Sequence, residues 1–296
     1  MFPPFISTRI APTPSGFLHL GNLFSFVLTW LLARTSEGGG RVVLRIDDID
    51  ATRSREAYLE DIFTTLHWLG LDWDAGATDV ADFHARYSQQ LRLGLYAEQI
   101  ERLATAQALI GCSCTRKQLQ ARPCACAVCD GAAAAASAEV LRLDTSAHPL
   151  LEANAQMRRL VVRTREGRAA YMLVSVVEDV REQINFVVRG ADLQLTTAAQ
   201  RFLAERMGGE WAAFSSVPVL HHPLLLASNG EKLSKSAGSI AVQELRERHT
   251  RSDFFRFVAH NLGLGDCDSL ALLRYYFSPA AVLPSLRQRS RLDHTF

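Results

Sequence analysis

The sequence predicts an α/β protein: a doubly wound parallel sheet of Rossmann type, a cysteine-rich inserted α+β subdomain and a short C-terminal helical region. Three observations predict it. Residues 5–11 and 41–46 are short β-branched and apolar runs flanking one long apolar stretch at 23–33, the strand–helix–strand order of a parallel crossover. Five of the six cysteines crowd between Cys112 and Cys129. Beyond residue 241 apolar residues recur with a helical period. The 296 residues, 48% hydrophobic and 21% charged, suffice for one large domain or two small ones around a packed core. The expected segments are 1–110 (first half of the sheet domain), 111–182 (insertion), 183–240 (second half) and 241–296 (helical region).

A net charge of +1 and a pI near 7.7 exclude a chain whose bulk charge announces a nucleic-acid partner; any RNA contact needs a local basic surface. The start, Met1-Phe2-Pro3-Pro4-Phe5, lacks the basic lead and unbroken apolar run of a signal peptide. The run at 23–33 is too short to span a bilayer. A cytoplasmic protein with no membrane partner is expected, with a monomer as its state.

Pro12, Pro14 and Gly16 punctuate a turn between the first strand and the first helix. His19 and Asn22, three residues apart, stand at the mouth of that helix, where side chains at this spacing point one way. Free N–H groups and the positive end of the helix dipole suit an anion there. Far down the chain, residues 228–238 form a loop with Lys232, Lys235 and small hydroxyl residues, suited to stabilising phosphate charge as it develops.

Asp47, Asp48 and Asp50 follow the second strand, and ligands of such sheets bind beyond the carboxyl ends of the strands. Turn formation and capping account for Asp50; Asp47 is the candidate for function. A helical stripe at 54–70 ends at Gly70, and the Leu71-Asp72-Trp73-Asp74 stretch after it needs only packing to explain it. A helix is predicted at 87–109, with Leu91, Leu95, Ile100 and Leu103 inward. Cys112/Cys114 and Cys126/Cys129 form two pairs, with Cys124 spare. Two such knuckles match the tetrahedral thiolate set of structural Zn2+, and C-x-C is a less common spacing than C-x-x-C.

The alanine-rich stretch 131–138 is a connection or a short helix. Strands are predicted at 160–164, 171–179 and 184–192. Arg189 ends the last of these, where a cation needs a partner or a ligand; Asp192 is the local alternative partner. A helix at 195–207, capped by Thr196 or Thr197, precedes a core strand at 217–221. His221 and His222 read as packing or solvent residues. Helices at 242–248, 253–262 and 270–277 follow. Arg246, Arg248, Arg251 and Arg256 offer RNA phosphate a surface, with an ordinary solvated face as the plain reading.

Together, His19-Leu20-Gly21-Asn22 and Lys232-Leu233-Ser234-Lys235-Ser236 resemble the paired signatures of class I aminoacyl-tRNA synthetases, usually written HIGH and KMSKS. Neighbouring residues are similar to the glutamyl-tRNA synthetase group, and the length to its truncated glutamyl-Q tRNA(Asp) branch. The resemblance covers roughly the first 240 residues and leaves no room for an anticodon domain. It implies activation of glutamate by ATP with Mg2+, then transfer to the queuosine base in the anticodon loop of tRNA(Asp). It gives His19, Gly21, Asn22 and Lys235 to ATP, with Lys232 assisting catalysis. Arg9 and Tyr171 would take the side-chain carboxylate, Arg189 the α-carboxylate and Asp47 the ammonium, with Ala11 and Thr13 lining the pocket.

Three departures stand out. Asp47 replaces the family's Glu, one methylene shorter; Asn22 replaces a frequent His; Cys126 stands where the truncated branch carries a Tyr. Another acceptor, a related amino acid such as glutamine or aspartate, or a non-catalytic nucleotide- or RNA-binding relic remain open alternatives.

Overall fold

The computed structural model describes residues 3–106, 109–112, 114, 115, 118, 138–154, 157–225, 241–289 and 291–292. In chain order the principal elements begin with β1 (Ile6–Ile10), α1 (Leu20–Arg34), β2 (Gly40–Leu44), α2 (Glu56–Leu69) and β3 (Ala75–Gly76). They continue with α3 (Leu93–Ala106), β4 (Leu109–Gly111), β5 (Leu141–Asp144), β6 (Arg159–Arg163) and α4 (Tyr171–Arg181). Next come β7 (Val187–Gly190), α5 (Gln194–Met207), β8 (Val219–His222) and β9 (Leu224–Leu225). The series ends with α6 (Val242–Arg248), α7 (Arg251–Leu262), α8 (Leu270–Tyr276), α9 (Pro279–Gln288) and β10 (Arg291–Leu292). The chain divides into two compact units, one of residues 1–88, 184–193 and 218–296, the other of 89–183 and 194–217. These limits do not coincide with the four expected segments.

In the first unit β1, β2 and β3 pair in parallel, as do β7 and β8. The chain entering β7 meets the edge of β1, where Asn185 and Phe186 N–H donate to the Ser7 carbonyl at 2.9 and 3.2 Å. Asn185 Oδ1 takes the Ser7 N–H at 2.8 Å. The core gathers around α1, whose Leu23, Phe24, Val27, Leu28, Leu31 and Leu32 are fully buried. Its buried Thr29 is satisfied within the helix by the Ser25 carbonyl at 2.6 Å. The α1 end is tied to residues 72–74: Trp30 Nε1 and Arg34 donate to Asp72, and Arg34 also to Asp74. Asp74 in turn accepts the Val42 N–H at 2.7 Å. Burial opposes ionisation of Asp74, but the Val42 N–H and Arg34 outweigh it and hold its pKa below the ordinary value. Packing and charge pairing thus account for this stretch.

In the second unit β4, β5 and β6 form an antiparallel sheet, and α4 packs against α5. Arg92 grips Glu178 through Nε at 2.8 Å and Nη2 at 3.0 Å, and Tyr96 Oη donates to the same carboxylate at 2.6 Å.

Several expectations are corrected. Residues 171–181 are a helix rather than a strand; Leu173, Val174, Val176 and Val177 are all buried, so β-branched content reflected an inward helix rather than a strand. The helix at 87–109 is a π turn at 83–87, a 3-10 turn at 89–92, α3 and then a strand, and Leu91 is exposed. Helix α5 begins at Gln194 directly after a 3-10 turn, so neither Thr196 nor Thr197 caps it, and Thr197 is buried. Helix α9 was not anticipated because Pro284 lies inside it. No described helix is long and apolar enough to cross a membrane.

Candidate active site

The first unit collects charged residues where a parallel sheet places its ligands, at the carboxyl ends of the strands. Arg9 lies near the end of β1, Arg189 near the end of β7, and Asp47 three residues beyond β2; all three are at most 5% exposed. The strand pairing continues past β2: Arg45 N–H donates to the Ile10 carbonyl at 3.0 Å and Asp47 N–H to the Pro12 carbonyl at 2.9 Å. This draws Asp47 against the turn carrying Ala11 and Thr13, of which Thr13 is exposed.

Sequence reasoning overlooked Arg45. Its Nε donates to Asp47 Oδ1 at 2.7 Å and its Nη2 to Oδ2 at 3.3 Å. The two parallel contacts fix the orientation of the buried Asp47 carboxylate. Arg9 Nη1 approaches the Val188 carbonyl at 3.5 Å, which ties the ends of β1 and β7 together. Asp192 folds over Gly190: a Cβ there would meet Asp192 Oδ1 at 2.6 Å, so a larger residue would make the Asp192 side chain shift.

At the mouth of α1, His19 is the N-cap residue, in extended conformation. Asn22 Oδ1 accepts the His19 backbone N–H at 3.0 Å, the reciprocal half of a capping box. The Asn22 amide NH2 is a separate pair of donors.

Lys232 and Lys235 lie outside the described residues, but both anchors of their segment are described. Before it, Leu224 and Leu225 pair with Arg291 and Leu292. After it, Ala241 forms an antiparallel bridge with His19, and Val242 N–H donates to the Leu18 carbonyl at 3.0 Å. The chain that follows the segment therefore stands beside the first signature. His222, at the end of β8, is buried edge-on to Phe24, with centroids 5.3 Å apart. Burial lowers its pKa, only partly offset by Nδ1 contact with the Pro223 carbonyl and by Asp192.

Tyr171 belongs to the second unit, as the first residue of α4, 40% exposed. Cys112 and Cys114 are described there: Cys112 is buried, and the Cys114 N–H points to its Sγ at 3.4 Å. Cys124, Cys126 and Cys129 lie outside the described residues, and among those described no group of three or more potential ligands gathers. The arginines considered for RNA sit largely against carboxylates. Arg246 pairs with Asp61, Arg248 with Glu244, and Arg256 with Asp253, Asp266 and Asp268.

A family model described as the catalytic domain of class I tRNA synthetases (E and Q) matches residues 5–123. Glutamyl-Q tRNA(Asp) synthetase of Nitratidesulfovibrio vulgaris is 35% identical over 270 residues, covering 81% of each chain. The protein of the same name from Symbiobacterium thermophilum is 34% identical over 271 residues, covering 82% of this chain and 81% of its own. Among solved structures, glutamate-tRNA synthetase from Elizabethkingia anophelis superposes with a TM-score of 0.71 at 20% identity, over 94% of this chain and 66% of its own; it shares the fold. The chain belongs to the glutamyl-Q tRNA(Asp) synthetase family of class I aminoacyl-tRNA synthetases.

Proposed function

We propose that the chain activates glutamate with ATP and transfers the glutamyl group to a hydroxyl of the queuosine cyclopentene-diol in the anticodon of tRNA(Asp). The observation that carries this reading is the bridge of Ala241 to His19, since it sets the residue that follows the lysine segment beside the helix mouth.

In the first step a glutamate α-carboxylate oxygen attacks the α-phosphorus of ATP. The bond to the bridging oxygen breaks and pyrophosphate leaves, giving glutamyl-adenylate. In the second, the acceptor hydroxyl attacks the acyl carbon, loses its proton and displaces AMP. The protein's part is positioning and charge stabilisation. The Asn22 NH2 and the first N–H groups of α1 face phosphate oxygens, His19 supports them, and Gly21 leaves room for the adenine. Lys235 with Lys232 stabilises pyrophosphate as it leaves. Arg189 holds the α-carboxylate and Asp47, oriented by Arg45, the ammonium; Arg9 selects the side-chain carboxylate. Mg2+ arrives with ATP and offsets phosphate charge.

The test is glutamate-dependent exchange of pyrophosphate into ATP by the pure protein with Mg2+, with glutamine and aspartate compared. Charging of queuosine-containing and queuosine-lacking tRNA(Asp) follows. Exchange with glutamate and charging only of the queuosine form is expected; absence of exchange refutes the catalytic reading.

A structural Zn2+ held by Cys112, Cys114, Cys126 and Cys129 forms part of the proposal, supported by the N–H contact to Cys112 Sγ. Metal analysis should find about one zinc per chain, and a metal-free protein with every thiol titratable would refute it.

A further inference from the structure

The geometry points to Asp61 and Arg246 as positioning residues that hold the chain following the lysine segment, from Ala241 on, against the His19 turn. Asp61 sits on the buried face of α2 beside Leu59, Ile62 and Phe63, and is 4% exposed. A carboxylate there is costly without partners, and its partners come from two other elements. Its Oδ2 accepts the Leu18 backbone N–H at 3.3 Å. Its Oδ1 accepts Arg246 Nη2 at 2.9 Å, while Arg246 Nη1 donates to Thr65 Oγ1 at 3.2 Å, one turn along α2.

The other face of Leu18 closes a ring. Its carbonyl accepts the Val242 N–H at 3.0 Å, and Val242 opens the helix that carries Arg246. Leu18 is thus held through its N–H by Asp61 and through its carbonyl by Val242. Arg246 fastens the Val242 helix back to Asp61. The residues fixed by this ring are His19, which caps α1, and Ala241, six positions after Lys235. An ion pair serving only stability would be as well replaced by packed apolar side chains. This one joins the residue before His19 to the helix that follows the lysine segment through named backbone groups, so its loss loosens that helix from the His19 turn.

The inference rests on the proposed adenylate chemistry, and its test has an arm that does not. Asp61→Asn, Arg246→Gln, Arg246→Lys and the double variant Asp61→Asn/Arg246→Gln are compared with wild type in pyrophosphate exchange. Amide hydrogen exchange is followed on peptides covering 16–24 and 241–248. Small misplacement of reacting groups costs about 100-fold. That loss is expected in kcat/KM for ATP with Asp61→Asn and with Arg246→Gln, with the KM for glutamate unchanged. Arg246→Lys should recover part of the activity, and the double variant should be no worse than the weaker single. Amide exchange should quicken in both peptides and not in α5.

Wild-type ATP kinetics in both single variants would overturn the inference. So would additive losses in the double variant, or quickening throughout the protein with ATP and glutamate affected alike. If wild type itself shows no exchange of pyrophosphate, the proposed function falls. The amide-exchange arm then decides the coupling alone: quickening in both peptides upholds it, and an unchanged 241–248 peptide overturns it.

Discussion

The proposed mechanism gives Asn22 a phosphate contact beside its cap contact, and the substitution Asn22→Asp divides the two. The cap task uses Oδ1, which accepts the His19 N–H at 3.0 Å. The ligand task uses the amide NH2. Aspartate keeps the acceptor and removes the donor. A carboxylate in the first turn of α1 also gains about 0.3–1 kcal/mol from the helix dipole. Asn22→Ala removes both functions, and loss of a cap costs about 1 kcal/mol, a fall in Tm of about 2–4 °C for a chain of this size. Asn22→Asp should therefore melt at or slightly above wild type. Loss of a hydrogen bond to a charged phosphate costs about 1.5–3 kcal/mol, which is roughly tenfold to 150-fold in affinity. Charge repulsion adds to it. Thermal melting and the KM for ATP in pyrophosphate exchange read the two tasks separately. A melting temperature for Asn22→Asp as low as that of Asn22→Ala would refute the cap assignment. An undiminished response to ATP would refute the phosphate contact.

Arg189→Lys replaces a forked donor with a point charge, so the KM for glutamate should rise about tenfold or more in steady-state exchange while the KM for ATP stays put. Glu178→Gln breaks the buried pair with Arg92 and Tyr96; urea denaturation should show a loss of about 3 kcal/mol. His222 is held neutral by burial, its Nε2 without a partner among the described residues and its pKa below the ordinary 6.5. The unfolded chain therefore binds this proton more readily, and its stabilisation is present above about pH 6.5 and lost as pH falls below it. Melting curves of wild type should drop more steeply from pH 7.5 to 5.5 than those of His222→Gln, and parallel curves would refute this.

Local signals made the first strand, its proline-marked turn and α1 legible, because an apolar run of that length has one outcome when buried. Gly70, at φ +71°, is the left-handed cap that its position announced. The segment 171–181 misled because its valines suit a strand as well as a buried helix. For the site, residue type at strand ends pointed to Asp47 and Arg189, since an ionised side chain closing a buried strand needs a partner or a ligand.

By itself the sequence determined which residue types stand at the ends of the strands and the mouth of α1, because these follow from chain order and local pattern. Only the tertiary structure decided who meets whom. Arg45 takes the Asp47 carboxylate, Ala241 returns to His19, and Asp61 joins Arg246 across 185 positions. Pairings at that separation carry no periodic or local trace, since they arise from where whole elements pack rather than from what any element is made of.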